Sequence, residues 1–397
     1  MRASLCLALL PTLAVFASGD AHAILWCARP LYAHEWGVHV YGGDGAPLPA
    51  PAPLPSWFHT PREPAPPAAP PAVRSLPVDS GIRDLPVLHL YGEPAAAIPL
   101  AIDVGFSAGP ASAWFPQVDA LRSAAEANSA AAAAARASLL SARSDRLARR
   151  STAPVPADPT RQLGWDRLDL TATPNAPPHA DDAPWIAAAR ALDALWVNRG
   201  AESERFVFYE AQTAEPLPLA LRRDRGWTAT HRAYVLENRG GHPLHDVFVT
   251  HAERGKTYVF AVKAVAAGGQ VRFVIEDHVV ADRRAATWDR LRAALVDPAQ
   301  PEPPKGPQTT ATPCVTDRDP AYPFERVDGH GLYRGEVELL LSVWGARLFD
   351  QPGTTVVWRE DAAALTAAMP LAIFTDMYHH VLIHRAGLAL WERVELP

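Results

Sequence analysis

Between residues 204 and 277, five short runs rich in Val, Phe and Tyr follow one another: "ERFVFYEAQ", "HRAYVLEN", "HDVFVTHA", "KTYVFAVKAV" and "QVRFVIED". The turn signals "RGGHP", "ERG" and "AAGG" separate several of them. β-Branched and aromatic residues suit a pleated, half-buried surface, and this punctuation joins strands by short connections. An antiparallel sandwich buries such a series most simply. "LPVLHLYGEP", where Val87, His89 and Tyr91 alternate with Leu88, Leu90 and Gly92, adds a strand near the N-terminus. So do "AAIPLAIDVGFS" and "RQLGWDRLDLTAT", and "TTVVWRE" and "HHVLIHRAGLALWERVEL" close the chain as strands.

Helices interrupt this pattern. "GLYRGEVELLLSVWGARLF" places Val337, Leu340, Leu341 and Trp344 on one face, with Pro352-Gly353 to end it. "RRAATWDRLRAALVDP" reads as a short amphipathic helix. "HADDAPWIAAARALDALWVN" reads as another, capped by Asp181 or Asp182, with Pro184 in its first turn and Trp185, Ile186, Ala189, Leu192 and Trp196 on one stripe. Residues 117–150 are Ala-rich and helix-forming, with Arg clustered at the end, and are expected to be an exposed helical insertion. Residues 45–77 are a Pro/Ala tract that lacks ladder donors, expected as a loop draped on the surface. The expected fold class is therefore mainly β, or α+β: an antiparallel β-sandwich-like body over 24–397 with helical insertions. It divides naturally into sub-domains of about 24–200 and 201–397.

With 48% hydrophobic and 20% charged residues the chain can bury a large core. Its net charge of −6 gives no electrostatic case for a nucleic-acid partner. The N-terminal "MRASLCLALLPTLAVFASGDAHA" has a positive start, an apolar stretch too short to span a bilayer and an Ala21-His22-Ala23 cleavage site. We expect a bacterial signal peptide over 1–23, cleaved after Ala23, and a periplasmic or secreted product with no transmembrane segment in the mature chain. Cys27 and Cys314 then remain in an oxidising compartment, where one disulfide is the simplest pairing. Metal-binding or redox thiols are the alternative, without a C-x-x-C to support them.

The stretch "HEWGVH" (His34 to His39) resembles a zinc-protease H-E-x-x-H with one residue too many. At i and i+4 on a helix two imidazoles lie about 40° apart, whereas at i and i+5 they lie about 140° apart. Gly37, Val38 and Val40 favour a strand in any case, on which His34, Trp36 and Val38 share one face and Glu35, Gly37 and His39 the other. In "YHHVLIH", His380 and His384 share a strand face about 13 Å apart and are expected at the surface or rim. His231, His242, His245 and His251 lie at strand ends and turns, the weak candidates for a Zn or Cu site. No cofactor is assigned. No G-x-S-x-G, P-loop, G-x-G-x-x-G or EF-hand loop is present. The 12 Trp are scattered at in-facing positions, which suits a core better than a sugar-stacking surface.

Taken in order, "HEWG" with "GGDG", "LPVLHLYGEP", "AWFPQ", "ERFVFYE" and "GLYRGEVELLLSVWGARLFDQPGTTVVW" resemble a family of exported bacterial proteins of unassigned activity. That family carries HEWGT near its mature N-terminus and a GLYxxEA…W…PG motif near its C-terminus. The resemblance spans most of residues 33–397 and implies export and a shared architecture. It singles out His34, Glu35, Trp36, Gly37, Asp44 and Gly45, and Gly331, Leu332, Tyr333, Glu336, Trp344, Pro352 and Gly353. Val38 departs from the motif Thr, Glu210 stands where Arg-Gly is usual, and the Ala-rich segment is not part of the pattern.

Three functional expectations follow. The first is an envelope-associated binding or structural protein rather than an enzyme. The second is a metal-assisted hydrolase with His34, Glu35, Glu336 and His330 gathered in one cleft. The third is a carbohydrate-binding protein with coplanar exposed Trp.

Overall fold

Strand β1 (Arg29–Gly42) is buried on both faces along most of its length, and the rest of the molecule is layered around it. The computed structural model describes residues 29–42, 54–60, 81–93, 97–107, 111–121, 162–180, 183–213, 215–224, 232–253, 256–275, 284–304, 327–349, 351–376 and 379–394. The signal-peptide and disulfide expectations lie outside these residues, as does most of the Ala-rich segment.

After β1 come β2 (Gly81–Tyr91), β3 (Ile98–Gly105), β4 (Ala111–Phe115), β5 (Ala120–Leu121) and β6 (Gln162–Thr171). Helix α1 (Pro184–Arg190) leads to β7 (Trp196–Arg199), β8 (Glu202–Glu204), β9 (Val207–Thr213), β10 (Leu219–Arg223) and β11 (Arg232–Asn238). Next are β12 (Leu244–Glu253), β13 (Lys256–Val265), β14 (Gln270–Ile275), α2 (Arg284–Leu295), β15 (Val327–Gly329) and α3 (Arg334–Phe349). The chain ends with β16 (Gly353–Arg359), α4 (Ala362–Ala368), β17 (Leu371–Thr375) and β18 (His379–Val394). The fold is mostly β with a few helices, as the residue patterns indicate.

Among the described residues, nine strands form one sheet in the order β13-β12-β16-β18-β1-β2-β9-β4, with β15 added to β18. Strands from both halves of the chain interleave in it. β1 and β18 run parallel, while β1 pairs with β2 antiparallel. Two smaller sheets, β17-β3-β6-β7-β8 with β5, and β10-β11-β14, pack on one face. The five Val/Phe/Tyr runs are all strands, but they are shared between sheets: β9, β12 and β13 join the large one, β11 and β14 a small one.

Period-two alternation on β1 explains the layering. Trp36 and Val38 pack with Val337, Leu340 and Trp344 of α3, Leu291 of α2 and Ile186 of α1. Leu31 and Ala33 pack against Leu100, Ile102 and Trp165 of the first small sheet. Tyr41 joins Tyr234 and Phe273 of the second. The molecule is thus helices, a large sheet, and two small sheets.

α3 follows its apolar stripe. Its third residue, Glu336, accepts the Tyr333 amide at 2.8 Å, which satisfies one of the donors a helix start leaves open. Gly345 is where α2 reaches α3: a Cβ there would lie 2.0 Å from the Trp288 ring. Ala at this position gains about 0.5–1 kcal/mol of helix propensity but forces the indole aside, an overpacking of about 1–3 kcal/mol. We expect Gly345→Ala to lose about 1–2 kcal/mol by urea unfolding; an unchanged midpoint would mean Trp288 has room to swing.

Four local expectations are corrected. Residues 117–121 are not helical: the Asp119 amide bonds the Gly164 carbonyl and Ala120 pairs with Gly164, so the β6 edge outcompetes helix propensity. α1 ends at Arg190, and Trp196 lies on β7. Arg205 takes the Leu192 and Ala194 carbonyls, which draws that backbone out of the helix. The α1 N-cap position is Ala183, not an aspartate, with Pro184 in the first turn; Asp181 and Asp182 lie outside the described residues. In the Pro-rich tract, the described residues 54–60 do not merely drape: Phe58 is buried and His59 bridges to Trp114.

Candidate functional site

His34 sits opposite His384 of β18 and opposite His89 of β2. Register therefore places three imidazoles side by side across three adjacent strands, all on the face toward α3. The His34 and His384 rings stack at 4.9 Å between centroids and 14° between planes. Above them stands Glu336. Its Oε2 lies 2.7 Å from His34 Nδ1, and its Oε1 lies 3.5 Å from His89 Nδ1. Tyr91 and Tyr333 enclose His34, at 5.4 and 4.2 Å between ring centroids. His34, His89 and Glu336 are buried, while His384 and Tyr32 at the rim are half-buried.

Donor roles follow from the partners. Glu336 as a carboxylate can only accept, so His34 donates from Nδ1; His384 donates from Nδ1 to the Gly331 carbonyl at 2.8 Å. Among the described residues, His34 Nε2, both His89 nitrogens and Glu336 Oε1 are buried without a hydrogen bond.

Burial alone would raise the Glu336 pKa, but the charge and hydrogen bond of His34, the charge of His89 and the Tyr333 amide hold it below the usual value. Burial pushes His89 down to about 4; Glu336 opposes this and His34 reinforces it. Burial also lowers His384, helped by His34 and opposed by its bond to Gly331. Tyr91 is raised, by burial first and then by Glu336. The partners thus favour the charged carboxylate, while burial opposes a charge on His89.

Glu35 does not join this group. One residue along β1 it points to the other face, where its register partner Arg385 holds it through both Nε and Nη2, the latter at 3.1 Å from Oε1. Tyr209 lies beside it, and its hydroxyl is raised by burial and then by the Glu35 charge. The expected gathering of His34, Glu35 and Glu336 in one cleft is corrected: His34 and Glu336 meet, and Glu35 belongs to a separate buried ion pair. His330 is exposed, ahead of α3, within electrostatic reach of Arg359, Asp246, His245 and His384. His39, on the Glu35 face, is buried 3.5 Å from Glu215 and 3.8 Å from Glu360.

Of the described turn histidines, His242 and His245 share one carboxylate and His251 stands apart. His245 and His242 both face Asp361, at 3.1 and 3.8 Å, and Asp361 also caps α4 through the Ala363 amide. His251, six residues along β12 from His245, bonds the Thr354 hydroxyl at 2.9 Å. His231 lies outside the described residues. No group of three His, Cys, Asp or Glu among the described residues is placed to hold a metal. His384, expected at the surface or rim, is half-buried and packs on His34. His89 read only as a strand residue; its signal was a polar residue between Val87 and Tyr91 on an otherwise apolar face.

Every described tryptophan is buried or half-buried, Trp57, Trp288 and Trp391 being the half-buried ones. The coplanar exposed pair that a carbohydrate surface needs is absent among the described residues. No helix among them is long and apolar enough to cross a membrane.

No family model matches the chain, and no curated protein matches it. Among solved structures, the Fcho1 Mu homology domain of Danio rerio with a bound Eps15 peptide aligns over 92% of this chain and 96% of that one. The identity is 6% and the TM-score 0.30, a likeness too slight to identify a shared fold.

Proposed function

We propose that the protein is an exported, envelope-associated binding or structural module and not a hydrolase. One observation carries this reading: the acidic residues of both motifs are turned inward onto partners within the chain. Glu35 is spent on Arg385, and Glu336 on His34 and the Tyr333 amide. A general acid or base must come within hydrogen-bond reach of its substrate, and residues of 0–2% exposure offer none here. These groups instead tie helix α3 and strand β18 to β1. Export is supported by the leader-like N-terminus and by the resemblance to exported proteins with the same ordered motifs.

Expression of the whole chain in a Gram-negative host tests the reading. We expect a mature protein beginning at Ile24 that co-sediments with envelope fragments. Ester, peptide and glycoside substrates should show no turnover that Glu336→Gln removes. Turnover abolished in a folded Glu336→Gln variant would overturn it, and so would an uncleaved, fully soluble product.

A further inference from the structure

The histidine row has a property that goes beyond a structural tie and does not depend on the proposed role. Three imidazoles occupy adjacent register positions on β18, β1 and β2, and one carboxylate serves them. That carboxylate belongs to a different part of the chain, the start of α3. The same segment also holds the outer ring, through the Gly331 carbonyl on His384, and β15 lies beside His384 on the sheet edge. The polar contacts that seat residues 327–337 on the large sheet thus include three imidazoles, beside the β15–β18 pairing, the Ile383 amide bond to Asp328 and the packing of Leu332 and Val337.

We propose that the row is an acid-responsive latch, in which protonation of His384 and His89 beside His34 releases segment 327–337 from strands β18, β1 and β2. The proton reaches His384 first, because its ring is half-buried and the other two are not exposed. With Nδ1 already donating to Gly331, the proton adds at Nε2 and places a cation against the stacked His34 ring. A second cation at His89, with neither nitrogen hydrogen-bonded, needs water that the closed row does not admit. The other ionisable groups facing the row do not relieve this. Tyr91 and Tyr333 are raised and stay neutral in this range, His330 adds like charge, and Asp297 and Asp328 favour a charge on His384 alone among the three rings. Asp193 acts on Tyr91 and lies 4.0 Å from Arg205. Glu336 can balance one imidazolium, not three. Opening admits water and separates the charges, and each proton held only by the open form multiplies its population about tenfold per pH unit.

Hydrogen exchange of the full chain at pH 7.5 and 5.0, corrected for the intrinsic pH dependence of exchange, reads this directly. We expect amide protection in 327–337 to fall at least tenfold at pH 5.0 while β12 and β16 keep theirs. His384→Asn retains a donor for Gly331 but cannot charge, so it should shrink that fall; His89→Gln should do the same from the inner end. Equal protection at both pH values overturns the latch, as does a loss spread evenly over all sheets or a fall of unchanged size in both variants. The wild-type measurement decides even if neither variant folds.

Discussion

Arg385→Ala is expected to lower the unfolding free energy by about 3–5 kcal/mol, the usual cost of leaving one partner of a buried ion pair behind. The side chains of Arg385 and Glu35 are 1% and 3% exposed, and the two strands that carry them are register partners at the centre of the large sheet. Without the guanidinium, Glu35 must either hold a bare charge between two packed layers or take up a proton, and Tyr209 beside it supplies no cation. An exposed pair makes the contrast. Arg292 and Glu338 meet on the surface with side chains 33% and 49% exposed, and removing such a pair costs about 0.2–1 kcal/mol. Urea unfolding followed by tryptophan fluorescence measures both. If Arg385→Ala costs no more than Arg292→Ala, the Glu35 pair is not buried as described. Replacing both partners together, Glu35→Leu with Arg385→Met, should recover most of the loss, because an apolar pair of similar volume carries no desolvation penalty.

The second large effect is on pH. The His89 side chain titrates at 6.5 when unfolded and at about 4 in the folded protein, because it is buried. Between those values the unfolded chain binds a proton that the folded chain does not, so stability must fall as pH falls. Its contribution is complete above 6.5, declines by up to about 1.4 kcal/mol per pH unit, and levels off near 4, for a total of about 3 kcal/mol. Burial lowers His384 and His251 in the same direction. Glu336 extends the decline: its folded pKa lies below the ordinary 4.5, so the stability it supplies is present above 4.5 and lost as pH falls further. Unfolding midpoints should be level from pH 7.5 to about 6.5 and slope down from there to pH 4, and His89→Gln should flatten the part above pH 4.5. A flat wild-type profile from 6.5 to 4.5 would show that water reaches His89.

How legible these sites were depends on how local their causes are. The faces of β1 could be read directly, since alternation separates His34 from Glu35 whatever the strand packs against. The stripe Val337, Leu340, Leu341 and Trp344 likewise announced α3, and Val381, Leu382 and Ile383 announced a strand rather than a helical histidine pair. Residues 117–121 and 191–196 were misread because a neighbouring strand edge and the Arg205 guanidinium supplied hydrogen bonds that local propensity cannot anticipate. The Ala183 cap shows the same limit: the residue type favoured Asp, but the cap formed one position later.

From the sequence alone came the β-rich class, the face each β1 side chain takes, and the nomination of His34, Glu35 and Glu336. Only the tertiary structure decided their company. His34 meets Glu336 across 302 residues, Glu35 meets Arg385 across 350, and His89 and His384 arrive beside His34 only when β2 and β18 dock in register. A one-residue slip of either strand would turn its histidine to the opposite layer. That register is set by burying whole faces of three strands at once, a condition no single segment contains.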